Sequence, residues 1–229
     1  MQNKTKTTIL ILLIILPVLI IFLIRQFLQP NYIISSLYKI IFLAPIIYHI
    51  FIYKKTLKQA ISENFSFKRF KKNLMSIVII GFIFALIYLL AFLFFKNYLE
   101  LETIVTGLGQ LASININNII LIGLYIIIFN SLLEEFFWRG LIFKELGKLM
   151  KPYKVHTLTG IGFSLHHMVF YYNWFGLALL ALVTLGLIFY SISLNFVFRK
   201  YKDLFACWLV HASVDIIQIY IALNIFGIL

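Results

Sequence analysis

Hydrophobic residues run along this chain in long blocks, broken by short clusters of charge. A helix needs about 20 apolar residues to cross the hydrocarbon of a bilayer. Seven stretches of that order can be marked out, at 8–27, 32–53, 74–95, 116–138, 155–172, 175–198 and 204–226. The pattern predicts an all-α polytopic membrane helix bundle of about seven transmembrane helices. Between the spans it leaves a long basic loop at 54–73, a long neutral-to-acidic loop at 96–115, and short turns. The first apolar run follows Lys4 and Lys6, exceeds the apolar region of a signal peptide and lacks a small-residue cleavage site, so it reads as a retained span. Phe65, Phe67 and Phe70 lie among the bases of the 54–73 loop, which reads as a solvated segment with an interfacial one as the alternative.

Composition agrees with the pattern. Of 229 residues, 62% are hydrophobic and 12% charged, and mean hydropathy is +1.00, whereas a soluble domain carries roughly 45–50% apolar and about 25% charged residues. The formal charge of +12 would suggest nucleic acid in a soluble protein, but topology accounts for it here. With the N-terminus inside, 17 of the 20 Lys and Arg fall on the inner side, while Arg25 and Lys96 lie outside and Lys39 lies within the second span. No nucleic-acid partner is expected. The single cysteine, Cys207, excludes an intramolecular disulfide.

Ionisable residues inside spans are expensive and therefore candidate functional groups. Most of them here fall after residue 115, which divides the chain into N-terminal spans with the basic loop (1–115) and a polar-bearing helical core (116–229). The fourth span ends in Glu134-Glu135-Phe136-Phe137-Trp138-Arg139-Gly140. On a helix Glu135 and Arg139 stand at i and i+4 and can pair, while Glu134 points about 100° away and stays available as a general base. The fifth span carries Phe163 and, one turn on, His167, with His166 directed about 100° elsewhere, so one histidine is the functional group and the other hydrogen-bonds a neighbouring helix. In the seventh span Cys207, His211 and Asp215 form one stripe. Counted from the basic side at about 1.5 Å per residue, Glu134, His167, His211 and Asp215 lie roughly 7–18 Å deep and can converge in a cavity open to the cytoplasm.

A glutamate, two histidines and an aspartate can activate water directly or through a metal. The candidates are spread over three helices with neither HExxH nor paired histidines at i and i+4. That favours metal-free chemistry with no cofactor, with a divalent metal such as zinc as the alternative. No GxSxG marks a serine nucleophile, and nothing near Cys207 would stabilise a thiolate.

These residues carry a resemblance. Glu134 to Gly140 resembles the EExxxR motif of the CPBP family, the CAAX proteases and bacteriocin-processing enzymes also called Abi-type membrane proteases. Phe163 to His167 resembles that family's FxxxH, and His211 to Asp215 its HxxxN/D, in the family's order over roughly half the chain. The resemblance implies an intramembrane endopeptidase of glutamic type, historically described as a metalloprotease. By motif, Glu134 and His167 would activate water, Glu135 and Arg139 would support them, and His211 with residue 215 would hold the oxyanion. The best-described members of that family carry Asn where this chain has Asp215; an ionised aspartate cannot donate a hydrogen bond, so Asp215 is either protonated, an orienting group for His211, or a change in the site. The implied substrates are CAAX-type tails, leader peptides of bacteriocin type, or other membrane-protein tails, and the implied location is the cell membrane, with the site facing the cytoplasm and lipid around it. A non-catalytic immunity or scaffold protein is the first alternative and a transporter the second.

Overall fold

The computed structural model describes residues 3–28, 37–112 and 114–228, and every regular element among them is helical. Helix α1 (Asn3–Leu28) is the first apolar block. The second begins, within the described residues, as a 3₁₀ segment (Leu37–Leu43) and continues as α2 (Ala44–Tyr53); its expected start at 32–36 lies outside the described residues. Pro45 sits in the first turn of α2, where a missing N–H costs nothing.

Both long loops expected from the sequence are instead largely helical. In 54–73 a short helix α3 (Leu57–Ser62) is followed by α4 (Phe67–Phe95). Thr56 and Gln59 form a reciprocal capping box that starts α3, and Ser66 caps α4, so charge alone did not prevent helix formation. Phe65 and Phe70 turn inward onto Phe205, with ring centroids 5.0 and 5.7 Å away, while Phe67 stays exposed. In 96–115 an amphipathic helix, α5 (Leu101–Ala112), occupies most of the segment. The remaining helices are α6 (Ile119–Leu146), α7 (Pro152–Tyr171), α8 (Leu177–Tyr201) and α9 (Leu204–Ile225).

Among the described residues five helical stretches are long and apolar enough to cross a membrane: Asn3–Phe27, Leu57–Tyr98, Ile119–Leu146, Leu177–Tyr201 and Leu204–Ile225. The Tyr38–Tyr53 stretch is shorter. Helix α7 has the length but falls short in hydropathy, because it spends positions on His156, Thr159, Ser164, His166 and His167.

These helices pack as an all-α membrane bundle. Helix α9 lies along α4 and α6, α7 lies between α1 and α8, and the 3₁₀ segment rests on the middle of α6. Close approach is set at two glycines. A Cβ on Gly162 would stand 2.5 Å from Ile14 Cγ2 and 3.0 Å from the Trp138 ring, so α7 meets α1 and α6 only because that side chain is absent. A Cβ on Gly81 would stand 2.5 Å from Ser213 Oγ, which brings α4 onto α9 in the same way. Trp138, Phe137, Leu141, Phe163 and Phe42 fill the core between these contacts. At the basic end the turns are tied together: Asp203 Oδ1 accepts from the N–H groups of Phe205 (3.1 Å) and Ser66 (3.3 Å). Burial pushes the Asp203 carboxyl above the usual aspartate range, against the opposing pull of those two donors.

Candidate active site

Helix α6 is not regular where it carries its carboxylates. A π-helical turn (Ile126–Asn130) precedes the α-helical segment Ser131–Phe137, and a second π-helical turn (Trp138–Phe143) follows it. Such turns widen the backbone and free carbonyls, and they recur at functional sites. Here the freed groups find side chains: Ser131 Oγ lies 2.7 Å from the Ile126 carbonyl, and Trp208 Nε1 donates to the Ile127 carbonyl at 3.1 Å. The irregular helix is thus fixed by its neighbours, and its two glutamates face different partners.

Glu135 enters a closed ion-pair network. Its Oε1 accepts from Arg139 Nη1 at 2.8 Å and from His211 Nδ1 at 2.8 Å. Arg139 Nη2 donates to the carbonyl and hydroxyl of Ser191 (2.9 and 2.8 Å), and the guanidinium lies 5.0 Å from the Phe163 ring centroid. Glu135 and Arg139 are both fully buried. Opposite charge and three hydrogen bonds compensate the desolvation of that guanidinium.

Glu134 faces the other way. Its Oε1 accepts from Asn130 Nδ2 at 2.7 Å, and its Oε2 lies 3.7 Å from His167 Nε2 with no hydrogen-bond partner. His167 Nδ1 bonds the Phe163 carbonyl at 2.9 Å, one turn back on α7. A carbonyl only accepts, so Nδ1 carries a proton, and in the neutral tautomer Nε2 would face Glu134 as a lone pair. Phe163 is the packing hub, its ring 4.4 Å from His167 and 5.9 Å from His211. On α9, His211 Nε2 lies 3.9 Å from Asp215 Oδ1, and Asp215 Oδ2 contacts Ser131 Oγ at 2.5 Å. Glu134, Glu135, Arg139, Phe163, His166, His167, His211 and Asp215 are therefore neighbours in one buried cluster, reached from three helices.

The two histidines take different partners, as adjacent helical positions predict, with His167 facing Glu134. Ring nitrogens of both nonetheless lie with a Glu134 oxygen in a set spanning no more than 4.8 Å. His166 also bonds a neighbouring helical segment, through Nε2 to Tyr38 Oη at 2.8 Å, which leaves Nδ1 buried and without a partner. A carboxylate and two imidazoles are the donor types of a catalytic zinc site, so the dispersion over helices does not argue against metal as it did in the sequence.

Beyond the expected residues, three more join the site. Asn130 and Ser131 each stand four residues before a glutamate, a spacing that could have flagged them. Tyr38 is 128 residues from its partner His166, and no local pattern reports such a contact. Cys207 is buried, with Sγ 3.8 Å from the Leu194 carbonyl, and packs within the bundle.

The comparisons with known proteins bear on the same segment. A family model, Type II CAAX prenyl endopeptidase Rce1-like, matches residues 116–217. That segment is Rce1-like. The match is consistent with the CPBP family, a family of membrane proteases, and spans somewhat under half of the chain. All eight sequence-flagged residues lie within the Rce1-like segment, whereas Tyr38 and Lys39 lie outside it. No curated protein and no solved structure matches the chain.

Proposed function

We propose that this chain is an intramembrane endopeptidase that hydrolyses CAAX-type tails, leader peptides or other membrane-protein tails, with Glu134 and His167 activating the attacking water. The supporting observation is the pair of facing acceptors, Glu134 Oε2 and His167 Nε2, 3.7 Å apart. A water within about 2.8 Å of both gives each one hydrogen, leaving an oxygen lone pair for the scissile carbonyl. Asn130 and the Phe163 carbonyl hold the two acceptors in place.

In the reaction, the water oxygen bonds the carbonyl carbon as its proton passes to Glu134, and the carbonyl becomes a tetrahedral oxyanion. That proton then moves to the amide nitrogen, the C–N bond breaks, and the carboxylic acid formed gives its remaining proton to the departing amine, so that a carboxylate and an ammonium leave. His211 Nε2 is the group offered to the oxyanion. For that role it must carry protons on both nitrogens, a cation that Glu135 and Asp215 match in charge from either side. Ser131 Oγ, 2.5 Å from Asp215 Oδ2, holds the aspartate on its own side of the site. On this reading Asp215 positions His211, and a donor at residue 215 serves the oxyanion when it is present.

Were a divalent ion held by Glu134, His166 and His167, it would supply Lewis-acid polarisation of the carbonyl or an activated water. The protein's own groups would then orient the peptide, and His211 would still face the oxyanion. The cytoplasmic side is the expected side of entry, because the basic residues gather at the same ends of α6 and α8.

The test is direct. Purified protein is incubated with prenylated and unprenylated C-terminal peptides and with leader peptides, and the products are weighed by mass spectrometry. One internal cleavage that Glu134→Ala abolishes supports the endopeptidase. Cleavage of no peptide, combined with a cellular phenotype unchanged by Glu134→Ala, replaces it with a scaffold role.

A further inference from the structure

Away from the candidate active site, a cavity of about 570 Å³ opens at the basic end of the bundle. It is lined by Glu63, Arg69, Phe143, Lys144, Phe198, Arg199 and Lys202. The bases come from three separated parts of the chain: the first turn of α4, the end of α6 and the end of α8. Four cations around one opening repel each other, and the single carboxylate there is already committed, because Glu63 pairs with Lys55 at 2.6 Å. Among the described residues no ion pair involves Arg69, Arg199 or Lys202.

The cavity is held open by the fold. Lys144 Nζ donates to Asn64 Oδ1 at 2.8 Å, and the Asn64 carbonyl accepts from Leu204 N–H at 2.9 Å, which ties the α3–α4 turn to both α6 and α9. Lys202 closes α8 in a left-handed conformation, φ 50°, with its N–H on the Phe198 carbonyl at 2.7 Å. Glycine is the residue that adopts this conformation without strain, so the chain carries a backbone cost to keep a lysine there. The aromatic lining is Phe143 and Phe198, edge to face at 6.3 Å.

We propose that this cavity binds the phosphate-bearing head group of an anionic phospholipid. The cations match the phosphate, and the Phe143–Phe198 pair beside them matches the glyceride that follows it. A free phosphate would use only the first half of that surface. Basic pockets between membrane helices at the positively charged face are suited to such head groups.

The experiment titrates full-length purified protein with dioctanoyl phosphatidylglycerol, dioctanoyl phosphatidylcholine and inorganic phosphate, and reads occupancy by native mass spectrometry. The double variant Arg199→Gln/Lys202→Gly removes two charges at exposed positions, one of which becomes the residue its backbone favours. Lys151→Gln/Lys154→Gln removes two charges from the same membrane face outside the cavity. Saturable binding of the phosphatidylglycerol, weakened about thirtyfold by the first pair and unchanged by the second, is expected from about fivefold per basic side chain near an anionic surface. Equal loss in both pairs, equal binding of phosphatidylcholine, or phosphate binding as tight as the lipid's would overturn the proposal. Melting points no lower in either variant than in wild type show that any loss is in binding.

Discussion

Replacing Arg139 with Met removes a guanidinium that is fully buried and leaves its partner behind. Glu135 would keep only His211 on Oε1, Ser191 would lose its donor, and Phe163 would lose the cation over its ring. Breaking a buried pair from one side costs about 3–5 kcal/mol, because the remaining charge is uncompensated. For a chain of this size each kcal/mol moves the melting point by about 2–4 °C, so Arg139→Met should melt about 6–20 °C below wild type. The double variant Glu135→Leu/Arg139→Met removes both charges. Replacing a whole buried pair by apolar residues is often neutral, so the double variant should recover most of the loss. What remains is the stranded His211 Nδ1, at about 1–3 kcal/mol. The assay is thermal unfolding in detergent, followed by the loss of monodisperse protein. If Arg139→Met melts within about 2 °C of wild type, or the double variant melts below Arg139→Met, the network is not the support described here.

Three further outcomes follow from the same geometry. Asn130→Ala frees Glu134 Oε1 from its donor, and kcat should fall about tenfold, the equivalent of one hydrogen bond near 1.4 kcal/mol, with the melting point changed by only a few degrees. Gly162→Ala forces a methyl group into the 2.5 Å gap beside Ile14 and should cost about 1–3 kcal/mol by thermal melting; Ile14→Ala in the same chain should restore part of it, and no restoration would mean the contact is not limiting. Asp215→Asn keeps an acceptor for Ser131 and adds a donor, so peptide cleavage should be retained or raised; a complete loss would assign residue 215 to holding His211 alone.

Much of the bundle was legible because apolar length and charge breaks report membrane helices directly: each of the seven marked stretches is helical over most of its described length. The two loops were misread because charge was allowed to outweigh capping. Thr56-x-x-Gln59 and the apolar face of Leu101, Ile104, Val105 and Leu108 were visible signals of helices at 57–62 and 101–112. In the site, periodicity was informative at i and i+4, where Glu135 meets Arg139 and Phe163 meets His167. It held for His166 and His167, which take different partners, and failed for the π-helical turns, which change the period itself. Tyr38 was beyond sequence pattern because tertiary packing, not spacing, brings the 3₁₀ segment onto α6.

The central claim is that Glu134 activates water within this buried cluster. The measurement that reaches it is the initial rate of cleavage of one peptide found to be a substrate, by wild type and by Glu134→Gln, each with and without excess chelator. Glu134→Gln keeps the size and the contact with Asn130 but cannot accept the proton, so the rate should fall by at least a hundredfold, while wild type is unaffected by chelator. A Glu134→Gln enzyme that cleaves at the wild-type rate contradicts the claim, and a wild type silenced by chelator moves the water onto a metal held by Glu134, His166 and His167.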